Sequence, residues 1–363
     1  MSCLIYFCNN IILSLQSTCQ LKLFLHIGTE KTGSSYLQTL LALNRDQLEQ
    51  NGMFYPDAGN REEDMISGKV SPGNGKALCT ALEDKDFDTI NKLLNLYHYQ
   101  ADKLECNTIL LSNENLIRPL SDEKIFENFY EHCIFNKIEW SEMLLILRDP
   151  VSQALSLYKH RAKNGRVAPV ENWISSGYDT ASCLDNFLSI IKTNKVNITF
   201  RKYHKDPIKM QDLIFKDWLK IIAPEVPFIG KVNPSLTISE LLMLKNIADH
   251  NEKLIRPLYD QLLALPMERK CLEKELSDRY KSIIEKKLIE YSNVWNEYNR
   301  YLGNAEQLVL PHENCYDTKT TMNICLSEDQ LTILINFLIS LKHNTNTLNS
   351  VLSKIKGKLK LII

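Results

Sequence analysis

The sequence predicts an α/β fold with a central parallel sheet and a helical C-terminal extension. Three short apolar runs, at residues 21–27, 108–112 and 143–147, are typical of strands that are buried on both faces of a sheet. Segments with helical spacing of apolar residues lie between them, and this alternation is typical of parallel sheets. From Gly230 onwards the pattern changes to helices joined by polar turns, which predicts the extension.

The length of the chain exceeds that of one minimal domain, and its composition rules out some functions. With 363 residues and 44% hydrophobic content the chain can bury a large core. We expect an N-terminal extension at 1–20, an α/β core at 21–229 and a helical region at 230–363 that packs on the core. The net charge is only −1, which argues against a nucleic-acid binder. Any anion site must therefore be local.

The cysteines give no sign of a metal site or a disulfide scaffold. All ten are scattered, and no C-x-x-C pair occurs. Reduced thiols in a cytoplasmic protein are the simpler interpretation, because a buried free cysteine behaves as a small hydrophobic residue.

An apolar stretch at residues 3–15 resembles a signal segment only in part. No Lys or Arg precedes it, Asn9 and Asn10 interrupt it, and it is shorter than the roughly twenty residues that span a bilayer. We therefore expect an extra strand or a loosely attached extension, without a transmembrane segment. A Golgi-type anchor or a secretory signal is the alternative.

A candidate anion site lies where the first predicted strand ends at Gly28. Small or hydroxyl residues follow at the start of a helix: Thr32, Gly33, Ser34 and Ser35. Unpaired backbone N–H groups and the positive end of the helix dipole favour a phosphate or sulfate there, and Lys31 adds a full positive charge. An ordinary strand-to-helix turn that is capped by serine is the alternative.

The order of residues in this turn separates two nucleotide-binding families. A Walker A loop needs its lysine directly after the second glycine, whereas Lys31 precedes Gly33 by two residues. The stretch instead resembles the 5′-phosphosulfate loop of sulfotransferases that use 3′-phosphoadenosine 5′-phosphosulfate (PAPS), whose usual form is close to P-K-[ST]-G-[ST]-[ST]. Glu30 stands where proline is common, and a Ser pair replaces the frequent Thr pair. The resemblance implies a P-loop NTPase-like three-layer fold in which Lys31 and residues 32–35 bind PAPS.

A second motif follows the predicted strand at 143–147. Asp149 is a natural N-cap and Pro150 fits the first helical position, so a helix should begin here. Arg148 lies at the strand tip, and Ser152 and Ser156 are four residues apart on one helical face. A guanidinium and a hydroxyl can therefore converge on a second phosphate.

This second stretch resembles the 3′-phosphate motif of sulfotransferases, R-[DN]-P-x-x-R-x-x-S-x-Y. Arg148, Ser156 and Tyr158 are in register with it, while Gln153 replaces the second arginine. The resemblance implies that Arg148 and Ser156 hold the 3′-phosphate. A surface salt bridge of Arg148 is the alternative, but two motifs in the expected order are more specific than either alone.

Glu114 is the candidate general base. It follows the strand at 108–112, and ligands of open parallel sheets bind at the carboxyl ends of the strands, so Glu114 should face the same crevice as Lys31. Several carbohydrate sulfotransferases use a glutamate in that role, and the resemblance favours this residue. A loop carboxylate that pairs with Arg118 or caps the next helix is the alternative. His204 is a weaker candidate base, and His26 is expected to be a neutral, satisfied core residue.

Two other segments could contact a ligand or a surface. Residues 57–76 form a predicted polar loop that contacts the acceptor, acts as a lid or is simply solvated. Near the C-terminus, a basic tail carries alternate lysines that either contact an anionic membrane or polymer or are merely solvated: Lys354, Lys356, Lys358 and Lys360.

Together these features predict a cytoplasmic, PAPS-dependent sulfotransferase that transfers a sulfuryl group to a hydroxyl, with Lys31 and Glu114 as catalytic residues. Family analogy alone suggests a glycan or glycolipid acceptor, and PAP (adenosine 3′,5′-bisphosphate) is the expected product, without a metal ion. One alternative is a P-loop kinase or other nucleotide-dependent phosphotransferase, which needs Mg²⁺ and a Walker lysine. The other is a non-catalytic protein that binds PAP.

Overall fold

The structure, a computed structural model, describes residues 20–67, 72–162, 168–194, 196–224, 236–248, 252–271, 274–312 and 324–340. Three predicted features lie outside these residues: almost all of the N-terminal extension, the residue at which the helical extension begins, and the basic C-terminal tail. The predictions made for them stay predictions.

Five parallel strands of the described residues form the central sheet, in the order β2-β3-β1-β4-β5. The strands are β1 (Leu21–Gly28), β2 (Met53–Phe54), β3 (Thr108–Ser112), β4 (Ile138–Leu147) and β5 (Ile198–Lys202). In the middle of the sheet, Leu25 of β1 is in register with Leu111 of β3 and with Met143 of β4. The predicted α/β class with a central parallel sheet is confirmed.

Helices flank this sheet and continue beyond it along the chain. The described helices are α1 (Ser34–Leu43), α2 (Arg45–Gln50), α3 (Glu62–Ile66), α4 (Lys76–Glu83), α5 (Phe87–Lys103), α6 (Ile117–Leu120), α7 (Glu123–Phe135), α8 (Pro150–Ala162), α9 (Val170–Ser176), α10 (Thr180–Thr193), α11 (Pro207–Asp212), α12 (Ile238–Ala248), α13 (Glu252–Ala264), α14 (Lys274–Leu288), α15 (Ser292–Tyr301) and α16 (Glu328–Ser340). A π-helical segment, Leu213–Trp218, continues α11. Within the described part of the chain, no helix is long and apolar enough to cross a bilayer.

The chain divides into two compact units. The first comprises residues up to 29, 33–146 and 183–229, and the second comprises 30–32, 147–182 and the chain from 230 onwards. In the first unit, α1 packs on the sheet because Leu37, Leu40 and Leu41 recur at helical spacing and are fully buried. They lie in one apolar cluster with Leu110 of β3 and Leu144 of β4.

The second unit has an aromatic core. The Tyr158 ring lies 5.3 Å from that of Trp173 and 5.7 Å from that of Tyr280, with edge or tilted geometry. Burial raises the pKa of Tyr158 to about 12, so the hydroxyl stays neutral at ordinary pH. Tyr158, which is in register with the sulfotransferase motif, is therefore a core residue of this unit.

Two cysteines of the second unit form a disulfide, so the prediction of reduced thiols is wrong for them. Cys271 and Cys325 are joined, with their Cα atoms 6.2 Å apart, whereas Cys79, Cys106 and Cys133 form no disulfide with any described residue. Sequence spacing did not reveal the pair, because its members are 54 residues apart and belong to no recognisable motif.

A buried ion pair lies next to this disulfide along the chain. Lys270 Nζ lies 3.1 Å from Glu240 Oε2, and the two side chains are 2% and 0% exposed. Gln330 donates to the other carboxylate oxygen of Glu240 at 2.8 Å. Each charge is thus paired and hydrogen-bonded, as burial of an ion pair requires.

The predicted polar loop at 57–76 is wrong in two places. A 3₁₀ turn at Gly59–Arg61 leads into α3, whose Met65 is fully buried, so the loop has secondary structure of its own. At the other end Gly73, Asn74 and Gly75 are buried. The polar composition hid both features, since short helices and buried asparagines leave little hydrophobic periodicity.

Candidate functional site

The turn after β1 uses two left-handed residues. Thr29 N donates to Ile146 O of β4 at 3.0 Å, which fixes the start of the turn. Lys31 has φ 64° and Gly33 has φ 85°. A left-handed conformation costs an ordinary residue about 1–2 kcal/mol, whereas glycine tolerates it. Two left-handed residues within three positions thus lead the chain into α1.

Gly33, not a serine, is the N-cap of α1. Its position has no side chain to accept from the helix, and the first intrahelical bond runs from Leu37 N to Gly33 O at 3.0 Å. Helix geometry therefore leaves the N–H groups of the first helical residues, Ser34 and Ser35 among them, without an intrahelical acceptor. The alternative of a serine-capped turn is wrong, and the helix start keeps its donors and its positive dipole end.

The Ser34 hydroxyl lies at this helix start without a protein partner. Ser34 is 6% exposed, and its Oγ forms no hydrogen bond with any of the described residues. A buried hydroxyl without a partner is uncommon and needs an explanation. An anion bound at the start of α1 would provide the missing acceptor. Ser35 is half-buried, as is Lys31, and Thr32 is fully buried.

Arg148 brings the second motif into contact with the first. Its Nη1 donates to the Lys31 carbonyl at 3.0 Å, and its Nε and Nη2 donate to Ser152 Oγ at 3.2 and 3.0 Å. The predicted strand tip and helix start are confirmed, since α8 begins at Pro150. Ser152 is thus the hydroxyl that orients Arg148, while Ser156 lies one turn further along α8 and is half-buried.

Two more contacts join the loop to α8. Gln153 Nε2 donates to Glu30 O at 3.0 Å, and Gln153 Oε1 accepts from the Tyr178 hydroxyl at 2.9 Å. The Glu30 carboxylate pairs with Arg161 at 3.0 Å. The two residues that depart from the sulfotransferase patterns, Glu30 and Gln153, therefore have structural partners inside this chain.

Glu114 is linked to the helix that carries Ser34. Its Oε2 accepts from Gln38 Nε2 at 3.0 Å, and Gln38 lies one turn after Ser34 on α1. Glu114 itself is half-buried. Neighbouring Asn113 is fixed by its N–H, which donates to His26 O at 3.0 Å. This part of the chain is therefore held at the carboxyl ends of β1 and β3, while the expectation that Glu114 faces the same crevice as Lys31 stays a prediction.

His26 is neutral, as predicted, but only one of its ring nitrogens has a partner. Nδ1 lies 2.9 Å from Ser112 Oγ, whereas Nε2 forms no hydrogen bond within the described ranges. Complete burial lowers the pKa of His26 to about 3. The expectation of a fully satisfied core residue is thus wrong at Nε2.

The segment at residues 72–75, which is buried from Gly73 to Gly75, covers the end of β3. Asn74 donates to Leu110 O at 3.0 Å and accepts from Ser112 N at 2.7 Å, while Gly75 N donates to Ser112 O at 3.1 Å. These bonds extend the β3 ladder by a short irregular segment. This end of the predicted loop is therefore not simply solvated, and the role of the loop as an acceptor contact or a lid stays a prediction.

Comparison of the chain with protein-family models, curated proteins and solved structures found no match. The evidence for function therefore comes from the residues themselves. Sequence reasoning missed Gln38 and Asn74. The spacing of four residues between Ser34 and Gln38 could have indicated that both lie on one face of α1, but nothing in the sequence marked Asn74.

Proposed function

We propose that this chain is a sulfotransferase that transfers a sulfuryl group from PAPS to a hydroxyl acceptor and releases PAP. The observation that carries the proposal is the hydrogen bond from Arg148 to the Lys31 carbonyl. Two chain segments that resemble the two PAPS-binding motifs are 117 residues apart in sequence, yet they lie in contact. If the two resemblances were accidental, there would be no reason to expect the two segments to be in contact.

Lys31 and the donors of residues 32–35 are the proposed ligands of the 5′-phosphosulfate. Two observations fit such a group. The buried Ser34 hydroxyl lacks a partner among the described residues, and the glycine N-cap places no side chain on the first N–H groups of α1. Backbone N–H groups and the positive dipole end at a helix start favour a bound phosphate or sulfate.

In the proposed reaction, the oxygen of the acceptor hydroxyl bonds to sulfur while the bond between sulfur and the 5′-phosphate oxygen breaks. Glu114 accepts the hydroxyl proton, a role worth about 10²- to 10⁴-fold in rate. Lys31 and the first N–H groups of α1 stabilise the charge that develops on the departing phosphate. We expect no metal requirement, because a sulfuryl group carries less charge than a phosphoryl group.

Arg148 and Ser156 are the proposed ligands of the 3′-phosphate. The bonds from Arg148 to Ser152 and to the Lys31 carbonyl hold the guanidinium in one orientation before any ligand arrives. Such preorganisation lowers the entropic cost of binding. Recognition of a 3′-phosphate would exclude ATP as the ordinary donor.

The proposed acceptor is a sugar hydroxyl of a glycan or glycolipid, by analogy with the resembling family alone. Cytoplasmic localisation stays a prediction. The disulfide between Cys271 and Cys325 favours the alternative of an oxidising compartment, because disulfides are rare in the cytosol.

A thermal-shift experiment tests the nucleotide site. PAP in the presence of EDTA should stabilise the protein by about 2.7 kcal/mol at 100 times its Kd. Lys31→Ala should weaken this effect, whereas Lys22→Ala, which removes an exposed lysine of β1, should not. Stabilisation by ATP with Mg²⁺ but not by PAP would indicate a kinase and contradict the proposal.

A transfer assay tests the chemistry. Radiolabelled PAPS is incubated with panels of glycans and glycolipids, and the labelled products are identified. Glu114→Gln should lose transfer and keep PAP binding, because it removes only the proton acceptor. Binding of PAP by wild-type protein without transfer to any acceptor would favour the non-catalytic alternative.

A further inference from the structure

Gln38 is a buried amide with one hydrogen bond and one unsatisfied atom. The side chain is fully buried, and its Nε2 donates to Glu114 Oε2 at 3.0 Å. Its Oε1 has no hydrogen-bond partner in the part of the chain that the structure describes. The amide cannot be turned round, because its oxygen would then face the carboxylate oxygen, and neither atom carries a proton to donate.

Stability does not explain a glutamine at this position. A buried amide oxygen without a partner costs folding free energy, and a methionine of similar shape would avoid that cost. Neighbours of Gln38 on α1, such as Leu37 and Leu41, are apolar and fully buried. The hydrogen bond to Glu114 is the one feature that the described structure gives this side chain and that an apolar residue could not reproduce.

Close packing holds the amide in place. A Cβ atom added at Gly73 would lie 2.6 Å from Gln38 Nε2 and 2.1 Å from Ser112 O, so only glycine fits there. Gly73 also has φ 74°, which glycine adopts without strain. The backbone at residue 73 thus lies directly against the Gln38 amide, and the segment itself is fixed to β3 through Asn74. A side chain that is locked in this way can impose its geometry on its partner.

We propose that Gln38 is a positioning residue that holds the Glu114 carboxylate in the orientation needed to accept the acceptor's proton. This inference rests on the proposed sulfotransferase function. A donor fixed on the same helix as Ser34 couples the proton acceptor to the residue that faces the 5′-phosphosulfate in that proposal. It also favours the ionised form of the carboxylate, which is the form that acts as a base.

Two buried titratable side chains of the first unit, the His26 imidazole and the Cys79 thiol, keep their charge state near neutral pH. Burial lowers the pKa of His26 to about 3. Burial, with the charges of Glu83 and Glu114 as smaller causes, raises the pKa of Cys79 to about 12. A change in the acid limb of the pH–rate profile on altering Gln38 would therefore not come from either side chain.

The test compares Gln38→Met with Thr39→Val. Both change one fully buried residue of α1, but the hydrogen bonds of the Thr39 hydroxyl within the described structure go to Ser35 O and Met65 O and not to Glu114. The readouts are transfer from radiolabelled PAPS to lactose and to galactosylceramide, PAP binding by thermal shift, and the melting temperature of each variant.

Gln38→Met should lower kcat by roughly 10- to 100-fold, because a general base that is misplaced loses most of its contribution. The KM for PAPS should stay within about twofold, and the acid limb of the pH–rate profile should move to higher pH, because the Glu114 carboxylate loses a donor that stabilises its charge. The melting temperature should not fall. Thr39→Val should be less stable and should keep the wild-type pH profile.

Each contrary outcome is distinct. Wild-type kcat and pH profile in Gln38→Met, or full activity in Glu114→Gln, would overturn the role of Gln38 and leave the sulfotransferase proposal standing. Equal losses of stability and PAP binding in both variants would indicate a merely structural role and also overturn it. Absence of any transfer by wild-type protein would remove both proposals together.

Discussion

A methyl group at position 33 should both destabilise the protein and weaken nucleotide binding. Gly33 has φ 85°, and a left-handed alanine costs about 1–2 kcal/mol, of which about 0.4–1 kcal/mol is offset by the lower entropy of the unfolded chain. The added Cβ would lie 3.0 Å from Cε2 of Tyr203 and 3.3 Å from Cε of Met210. Such overpacking adds about 1–3 kcal/mol. Gly33→Ala should therefore lower the free energy of unfolding by about 2–3 kcal/mol.

Gly59 provides a matched control. Its φ is 64°, but no atom lies within 4 Å of an added Cβ among the described residues, so Gly59→Ala carries the backbone cost alone. We expect this variant to lose about 1 kcal/mol or less in urea unfolding. PAP should stabilise Gly59→Ala as it does wild type, and it should stabilise Gly33→Ala much less, because the first N–H groups of α1 move with the turn.

Equal losses of stability in the two variants would refute the packing analysis at position 33. Unchanged PAP binding by a folded Gly33→Ala variant would refute the assignment of the anion site to the start of α1. The two readouts are independent, because urea unfolding is measured without nucleotide and PAP binding is measured on folded protein.

Three further predictions concern buried groups. Because burial lowers the pKa of His26 to about 3, the unfolded chain binds the proton first, and stability should fall by about 1.4 kcal/mol per pH unit as pH drops from about 6.5. The free energy of unfolding, measured with urea between about pH 4.5 and 7, should show this slope in the wild-type protein. The His26→Asn variant should lack it. Lys270→Met should lower the free energy of unfolding by about 3–5 kcal/mol, because it leaves the Glu240 carboxylate unpaired. The second substitution Glu240→Gln should recover much of this loss. If it recovers nothing, the broken ion pair is not the cause of the loss. Peptide mapping without reductant should find Cys271 joined to Cys325, and free thiols at both positions would contradict the structure. Cys271→Ser should lower the free energy of unfolding by about 2–4 kcal/mol.

Continuous apolar runs predicted the strands well, but the half of one strand that has a mixed pattern was missed. The first strand was expected at 21–27 and is observed at Leu21–Gly28. The strand expected at 143–147 begins five residues earlier, at Ile138, because its first half alternates between buried and exposed residues. Trp140 in that half is covered by Phe126, with ring centroids 4.8 Å apart. A helix elsewhere in the chain supplies that cover, so a local window could not reveal it.

Some residues of the candidate site could be predicted from the sequence and others could not. Lys31, Gly33 and Ser34 could be recognised from sequence, since the chemistry of a strand, a turn and a helix start lies within one short stretch. The role of Gln38 could not be recognised from sequence, because its partner Glu114 is 76 residues away along the chain. The sequence showed only that Glu30 and Gln153 depart from the sulfotransferase patterns. It did not show which residues they contact.

The sequence by itself determined the α/β class, the positions of the main strands along the chain and the residue types that follow them, because hydrophobic period and turn chemistry act between near neighbours along the chain. Tertiary structure alone decided which distant groups meet. It placed the Arg148 guanidinium on the Lys31 carbonyl, the Gln38 amide on Glu114, and Cys271 beside Cys325. Such contacts depend on how packed elements align in space, and the free energy of that packing is shared among many residues without a local signature.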